Sequence, residues 1–336
     1  MQKQHDNGMV ECGVCERRCM ISLGAIGFCK TRMNIQGELY TLVYGDISSM
    51  AANPIEKKPF FHFWPGSYAL TVGTWSCNFT CPWCQNWDIS KYEPHPRDAS
   101  YISPEKLVKA TLVQHCQSTS ISFNEPTLLL EYSLDLFPLA RKQGLYNTYV
   151  SNGYMTLEAL SMLRLAGMDA IKFDVKGDTE AVKRYCGADA NIVWRNIREA
   201  KRLGMHVEVV VLVIPRVNDS DSSIREIVNL HLEKAGPNTP LHFTQFYPTY
   251  QMTDRNRTPV ETLEKAHNIA REMGVRYVYT GNVPGHNYEN TYCPNCQNLL
   301  IERYGFDIVR VSLTDEGRCP NCGEPQPIIG SYKRMR

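Results

Sequence analysis

All but two of the thirteen cysteines in this chain fall into three tight groups. Cys12, Cys15, Cys19 and Cys29 form the first, Cys77, Cys81 and Cys84 the second, and Cys293, Cys296, Cys319 and Cys322 the third. Only Cys116 and Cys186 stand alone. The N-terminal run MQKQHDNGMVEC has no apolar signal core, so a cytoplasmic location is expected and the thiols are expected to be reduced. Clustered reduced thiols point to metal sites rather than a disulfide framework. The chain is therefore expected to build metal-closed units at its two ends around a middle with its own apolar core. At 336 residues there is room for one large domain or two to three smaller ones. With 43% hydrophobic and 21% charged residues, disorder, collagen-like repeats and coiled coil are excluded as descriptions of the whole. The longest apolar stretch, Val209–Ile214, is far short of the roughly 20 residues of a spanning helix, so no membrane association is expected. A net charge of +1 marks no polyanion binder and argues against nucleic acid as a partner.

The middle of the chain alternates strand-like and helix-like segments. Short apolar or β-branched runs bounded by Gly, Asn or Pro predict strands at Ala69–Thr74, Ser118–Phe123, Tyr146–Val150, Ala170–Phe173, Val207–Ile214, Leu241–Phe246 and Arg276–Tyr279. Ser103-Pro104 opens one helix, Thr156–Leu165 is a second closed by Gly167, and Thr258-Pro259 opens a third that Gly274 stops. Cys116 falls on a predicted helix. This alternation predicts an α/β fold with parallel strands and helices outside them. The expected organisation is an N-terminal four-cysteine module (1–40), a linker wrapping the core (41–68), the α/β core (69–285) and a C-terminal zinc-ribbon-like module (286–336).

The central group reads Cys77-Asn78-Phe79-Thr80-Cys81-Pro82-Trp83-Cys84, a C-x3-C-x2-C loop just after the first core strand. Three thiolates on one short loop can each hold one iron of a cubane cluster. A [4Fe–4S] cluster takes four ligands, so three leave one iron open to a small molecule. The bland alternative is a zinc loop that borrows His62 or His95 as its fourth ligand.

The loop resembles the signature of the radical SAM superfamily. The resemblance implies that Cys77, Cys81 and Cys84 ligate the cluster, that S-adenosylmethionine (SAM) chelates the open iron, and that reductive cleavage yields a 5′-deoxyadenosyl radical for hydrogen abstraction. Trp83 is then expected beside the adenine. Asn124-Glu125-Pro126 stands where the superfamily carries an element that holds the methionyl ammonium, with Asn124 in place of a glycine. A helix cap at Asn124 is compatible with that role. Ser151-Asn152-Gly153 is implied to contact the ribose or methionine part of SAM, although Asn-Gly also makes a plain turn. Asp174-Val175-Lys176 resembles a D-x-K element near the methionyl carboxylate or the substrate, with a surface salt bridge as the ordinary reading. Ile214-Pro215 with Asn218-Asp219 resembles an element near the adenine. His206, His242 and Tyr247 are expected to be packed polar residues, and Cys186 is the better candidate of the two lone thiols for a second role.

At the C-terminus, Cys293-Pro294-Asn295-Cys296 and Cys319-Pro320-Asn321-Cys322 are near-identical knuckles whose four thiolates suit tetrahedral zinc. The N-terminal set Cys12, Cys15, Cys19 and Cys29 admits zinc or an auxiliary iron–sulfur cluster, with a slight lean to zinc. Taken with Gly27-Phe28-Cys29, Tyr44-Gly45, Pro54–Pro59, His62-Phe63 and Cys84-Gln85-Asn86-Trp87, these motifs resemble one subgroup of pyruvate formate-lyase activating enzyme-like proteins, the radical SAM component of the AmmeMemoRadiSam system. The resemblance runs over residues 12–330. It implies a partial (β/α)6 TIM-type barrel, an electron donor such as flavodoxin or ferredoxin, and AMMECR-like and Memo-like partner proteins. Activation of a glycyl radical protein is the alternative within the class, and a non-catalytic zinc or iron–sulfur binding module the alternative outside it.

Overall fold

The computed structural model describes residues 1–6 and 8–332. Asn7 and residues 333–336, which belong to the two expected terminal modules, lie outside the described residues.

The chain opens with short antiparallel pieces. Strands β1 (Gln2–Gln4), β2 (Val10–Cys12) and β3 (Met20–Ile21) form one small sheet, and β4 (Arg32–Ile35) and β5 (Glu38–Thr41) a hairpin. Strand β6 (Ser49–Pro54) then joins the main sheet at its edge, antiparallel to β7 (Tyr68–Gly73) along six residue pairs. The segment read as a linker thus contributes a strand. No periodicity announces it, because its outer residues are exposed and only Asn53 is buried.

From β7 the expected alternation unfolds. The parallel strands are β7, β8 (Ser118–Ile121), β9 (Tyr146–Ser151), β10 (Ala170–Val175), β11 (His206–Val213), β12 (Leu241–Gln245) and β13 (Val278–Gly281). In space they follow sequence order, β6 to β13, with β6 and β13 as open edges. The sheet is therefore a partial barrel of seven parallel strands plus one antiparallel edge. Helices α1 (Trp87–Ser90), α2 (Pro104–Val113), α3 (Leu130–Lys142), α4 (Leu157–Ala166), α5 (Thr179–Cys186), α6 (Ala190–Arg202), α7 (Asp221–Lys234) and α8 (Val260–Glu272) fill the connections. β8 and β12 are buried at every position although Ser118, Thr119, Ser120, His242, Thr244 and Gln245 are polar.

Local chemistry sets the helix ends. The Ser103 hydroxyl accepts from Lys106 N–H with Pro104 in the first turn, and the Thr156 hydroxyl accepts from Ala159 N–H. Gly167 ends α4 at φ +114°, where a side chain would be strained and would also meet Arg141. Helix α2 stops at Val113, so Cys116 lies beyond it in the turn before β8, held there by a bond from its own N–H to Thr111 O. Among the described residues no helix is long and apolar enough to cross a membrane.

The N-terminal ends of the strands are closed by a buried floor. Phe60, Phe61 and Phe63 pack beneath the barrel, and His62 N–H donates to Glu208 Oε1 (2.8 Å). His206 and His242 bond the two oxygens of the same carboxylate at 2.9 and 2.7 Å. The C-terminal strands β14 (Thr291–Tyr292), β15 (Leu299–Tyr304) and β16 (Asp307–Val311) lie against this floor, where Arg303 donates to Phe61 O (3.0 Å).

Candidate active site

The opposite, C-terminal ends of the strands carry the cysteine loop. It leaves β7 at Gly73, where a Cβ would stand 2.9 Å from Ser122 O and from Phe123 Cβ. Only glycine allows that approach. The loop is clamped to the end of β8 by Asn124. Thr74 N–H donates to Asn124 Oδ1 (3.0 Å) and Asn124 Nδ2 donates to Ser76 O (2.7 Å). Asn86 Nδ2 adds a bond to Phe123 O (2.6 Å), and Lys91 Nζ donates to Phe79 O (2.9 Å). Ser76 and Phe123 hold positive φ, +67° and +66°, a strained conformation for side-chain-bearing residues. Asn124 thus spends its amide on the loop and does not cap a helix. The cap of the following 3-10 turn (Pro126–Leu129) is Glu125, whose carboxylate accepts from Thr127 N–H.

Cys77, Cys81 and Cys84 line one cavity of about 410 Å³, and Trp83, Asn124, Glu125, Asn152, Asp174 and Lys176 share its wall. Val210, Leu212 and Thr244 extend the wall across β11 and β12. Ser151 is buried but is not part of the wall; its hydroxyl donates to Glu125 Oε1 (2.8 Å). Glu125 also accepts from Thr127 N–H (3.1 Å), the Thr127 hydroxyl and Asn152 N–H (2.9 Å). Burial pushes its pKa up, and these donors work against the shift. The carboxylate therefore ties together the ends of β8 and β9.

Lys172, Asp174 and Lys176 share one side of the backbone by strand alternation. Asp174 pairs with Lys172 and with Lys176 Nζ (3.3 Å). Burial opposes its ionisation, but the two ammonium groups outweigh it and hold the carboxyl down at about 2. Lys176 is pushed up despite burial by Asp174 and by the thiols of Cys81, Cys186 and Cys84. Cys186, the last residue of α5, brings its sulfur to 3.3 Å from Cys81 Sγ. The Cys186 thiol donating to Cys81, helped by Lys176 and Lys91, pulls the Cys81 thiol down against the effect of burial. Asn152 Nδ2 donates to Asn78 Oδ1 (2.8 Å) beside Cys77.

The donor set suits a cluster with one open iron: three thiols of one loop on one cavity, cations nearby to offset thiolate charge, and the Trp83 Nε1–H buried in the wall without a partner. Neither histidine considered for a zinc loop is near it. His62 lies in the floor, bonded to Tyr279 Oη (2.6 Å), and His95 is exposed beside Asp98. The Asn218 side chain is spent on its own turn, accepting from Ile214 N–H (2.7 Å) and donating to Leu212 O (2.9 Å). His206 and His242 belong to the floor, and the Tyr247 hydroxyl donates to Asn282 O (3.3 Å). Sequence reasoning passed over Lys172 and Lys91, and it quoted Asn86 within a motif without giving it a role. Of these, Lys172 carried a legible signal, two residues before Asp174 on a strand.

The terminal cysteines form separate sites. Cys293 Sγ lies 3.6 Å from Cys322 Sγ, Cys296 Sγ 3.6 Å from Cys319 Sγ, and all four sulfurs fall within 4.8 Å of one another. Tetrahedral zinc with bonds of about 2.3 Å sets its sulfurs roughly 3.8 Å apart, so this group can hold such an ion. Cys12, Cys15, Cys19 and Cys29 converge on a second cavity together with Arg17 and Arg32.

An α/β partial barrel with a three-thiol loop at the mouth defines the class of enzyme that this chain represents. Residues 72–231 match the radical SAM superfamily model. An uncharacterized protein of Methanocaldococcus jannaschii, MJ0808, is 42% identical over 325 residues, 96% of this chain and 97% of its own. A probable GTP 3′,8-cyclase of Pyrobaculum aerophilum is 23% identical over 73% of this chain and 80% of its own. Among solved structures, a radical SAM methyltransferase from Sphaerobacter thermophilus aligns with a TM-score of 0.49 at 14% identity, over 66% of this chain and 68% of that one. A domain of a pyruvate formate-lyase activating enzyme from Bacteroides vulgatus aligns with a TM-score of 0.42 at 15% identity, over 49% of this chain and 99% of that domain. The chain belongs to the radical SAM superfamily, whose enzymes use a [4Fe–4S] cluster and SAM.

Proposed function

We propose that Cys77, Cys81 and Cys84 ligate the [4Fe–4S] cluster of this enzyme and that Trp83, Asn124, Glu125, Asn152, Asp174 and Lys176 shape the SAM pocket, with Ser151 positioning Glu125. The observation that carries this is the convergence of the three thiols and these polar groups on one cavity at the C-terminal ends of the strands. Cluster and SAM, when bound, supply a 5′-deoxyadenosyl radical. The chain's own residues do the rest. Asn124 and Asn86 hold the cysteine loop against β8. Glu125 orders the Asn152 backbone. Lys172 and Lys176 keep Asp174 ionised, and the strand side chains Val210 and Leu212 give the radical a dry wall.

The motifs across residues 12–330 support assignment to the AmmeMemoRadiSam system, with AMMECR-like and Memo-like partners, a flavodoxin or ferredoxin as electron donor, and zinc in the C-terminal four-cysteine group. The test is anaerobic. The reconstituted, dithionite-reduced protein is incubated with SAM and assayed for 5′-deoxyadenosine. Formation that vanishes in Cys81→Ala is expected; retained formation in that variant sinks the proposal. A partner-binding assay with the two proteins tests the system assignment separately.

A further inference from the structure

The two terminal cysteine sets are built differently. Among the described residues, only the C-terminal set draws its ligand atoms within 4.8 Å of one another. The N-terminal sulfurs stand further apart, around a small cavity. A single tetrahedral ion binds all its sulfurs at one centre and needs the tight set. A cubane binds each thiolate through a different iron, so its sulfurs stand wider. Cys77, Cys81 and Cys84 are likewise absent from the tight sets. In spacing, the N-terminal group matches the central loop and not the zinc-like knuckles.

The wall of this cavity points the same way. Arg32 lines it, only 2% exposed. Its Nη1 binds Glu131 (2.6 Å) and its Nη2 donates to Leu128 O (3.2 Å), while its Nε–H is buried with no partner. A buried N–H without an acceptor is costly, and a cluster sulfur in the cavity would receive it. Arg17 supplies a second cation, stacked 4.2 Å from the Phe28 ring. The site also abuts the central loop: Arg17 Nε donates to the backbone oxygen of Asn78, next to Cys77 (2.9 Å).

We propose that Cys12, Cys15, Cys19 and Cys29 hold a second iron–sulfur cluster of the [4Fe–4S] class, bordered by Arg17 and Arg32. The lean to zinc drawn from spacing alone is replaced by this assignment.

The experiment counts metals in anaerobically reconstituted protein. The full chain is expected to carry about eight irons and eight sulfides with one zinc, falling to about four irons in a Cys12→Ser, Cys29→Ser variant. With Cys77, Cys81 and Cys84 changed to Ala, about four irons are expected to remain. Dithionite should then give an EPR signal that SAM does not alter. A full chain with about four irons and two zincs overturns the assignment, whether or not either variant folds. Iron lost only with the central cysteines would likewise overturn it, while leaving the central-site proposal intact.

Discussion

At Glu125 the donors divide unevenly: the Thr127 amide, the Thr127 hydroxyl and the Ser151 hydroxyl meet Oε1, and the Asn152 amide meets Oε2. A glutamine has only one acceptor oxygen, so in either orientation its NH₂ faces an N–H donor. We expect Glu125→Gln to cost about 1–3 kcal/mol of stability and to lower 5′-deoxyadenosine formation more than tenfold; an unchanged melting temperature would count against the brace. Asp174 offers a sharper case. Asp174→Asn leaves Lys172, 5% exposed at its side chain, without its counter-ion. Breaking such a buried pair costs roughly 3 kcal/mol. Lys172→Met in the same chain should recover part of that loss, which a double-mutant cycle of denaturant unfolding would measure. The buried histidines set the acid limit. Burial pulls His62 and His231 down to about 3, against about 6.5 in the unfolded chain. Between those values the unfolded state binds more protons, so stability falls as pH drops through the window. His231 Nε2–H donates to Thr239 O (3.0 Å), a bond that a glutamine can imitate without titrating. His231→Gln should therefore flatten the decline of melting temperature between pH 6.5 and 4; an identical slope would clear this residue of the effect.

Elements with a period were legible, and those held by context were not. All seven parallel strands could be read from short apolar or β-branched runs bounded by turn residues, the composition that a strand covered on both faces favours. Cap and stop residues such as Ser103, Thr156 and Gly167 placed helix ends well. Strand β6 escaped because an edge strand with an exposed outer row shows no alternation. The cysteine loop announced the site, yet Cys186 reached it only through α5, whose end at Gly187 lets the thiol approach Cys81. No spacing in sequence links residues so far apart. The Ser151-Asn152-Gly153 turn shows both of its readings at once. Gly153 has φ +75°, and a Cβ there would lie 2.6 Å from the Phe173 ring. Gly153→Ala must therefore strain the backbone and push β9 away from β10. A loss of about 2 kcal/mol is expected, together with weaker SAM binding through displaced Asn152, read by melting and by SAM titration of the cluster's EPR signal.

On the scale of the whole molecule, the chemistry and the closure lie at opposite ends of the same sheet. The mouth holds the thiols, and the floor holds Glu208 with its histidines. The C-terminal module keeps the floor shut. Arg303, 3% exposed, donates to Phe61 O (3.0 Å) and Thr291 Oγ1 (2.8 Å). Arg276 pairs with Glu324 (2.6 Å), the Tyr277 hydroxyl donates to Gln326 (3.0 Å), and Ile329 N–H donates to His62 O (2.8 Å). The module's own core is only Cys293, Leu300, Ile301 and Cys319 with their partly buried neighbours. A core of that size is small for independent folding, and a metal held by the four knuckle cysteines would supply the missing stability. Cys319→Ser with Cys322→Ser should therefore unfold residues 286–332, withdraw Arg303 and leave the floor open to water. Melting several degrees earlier and new protease cleavage within that segment are expected, while the central cluster and 5′-deoxyadenosine formation persist at low temperature, because the mouth borrows nothing from the four knuckle cysteines. If melting is unchanged while zinc is lost, the module is only a tethered appendage and the floor must be held by Phe60, Phe61 and the Glu208 network alone.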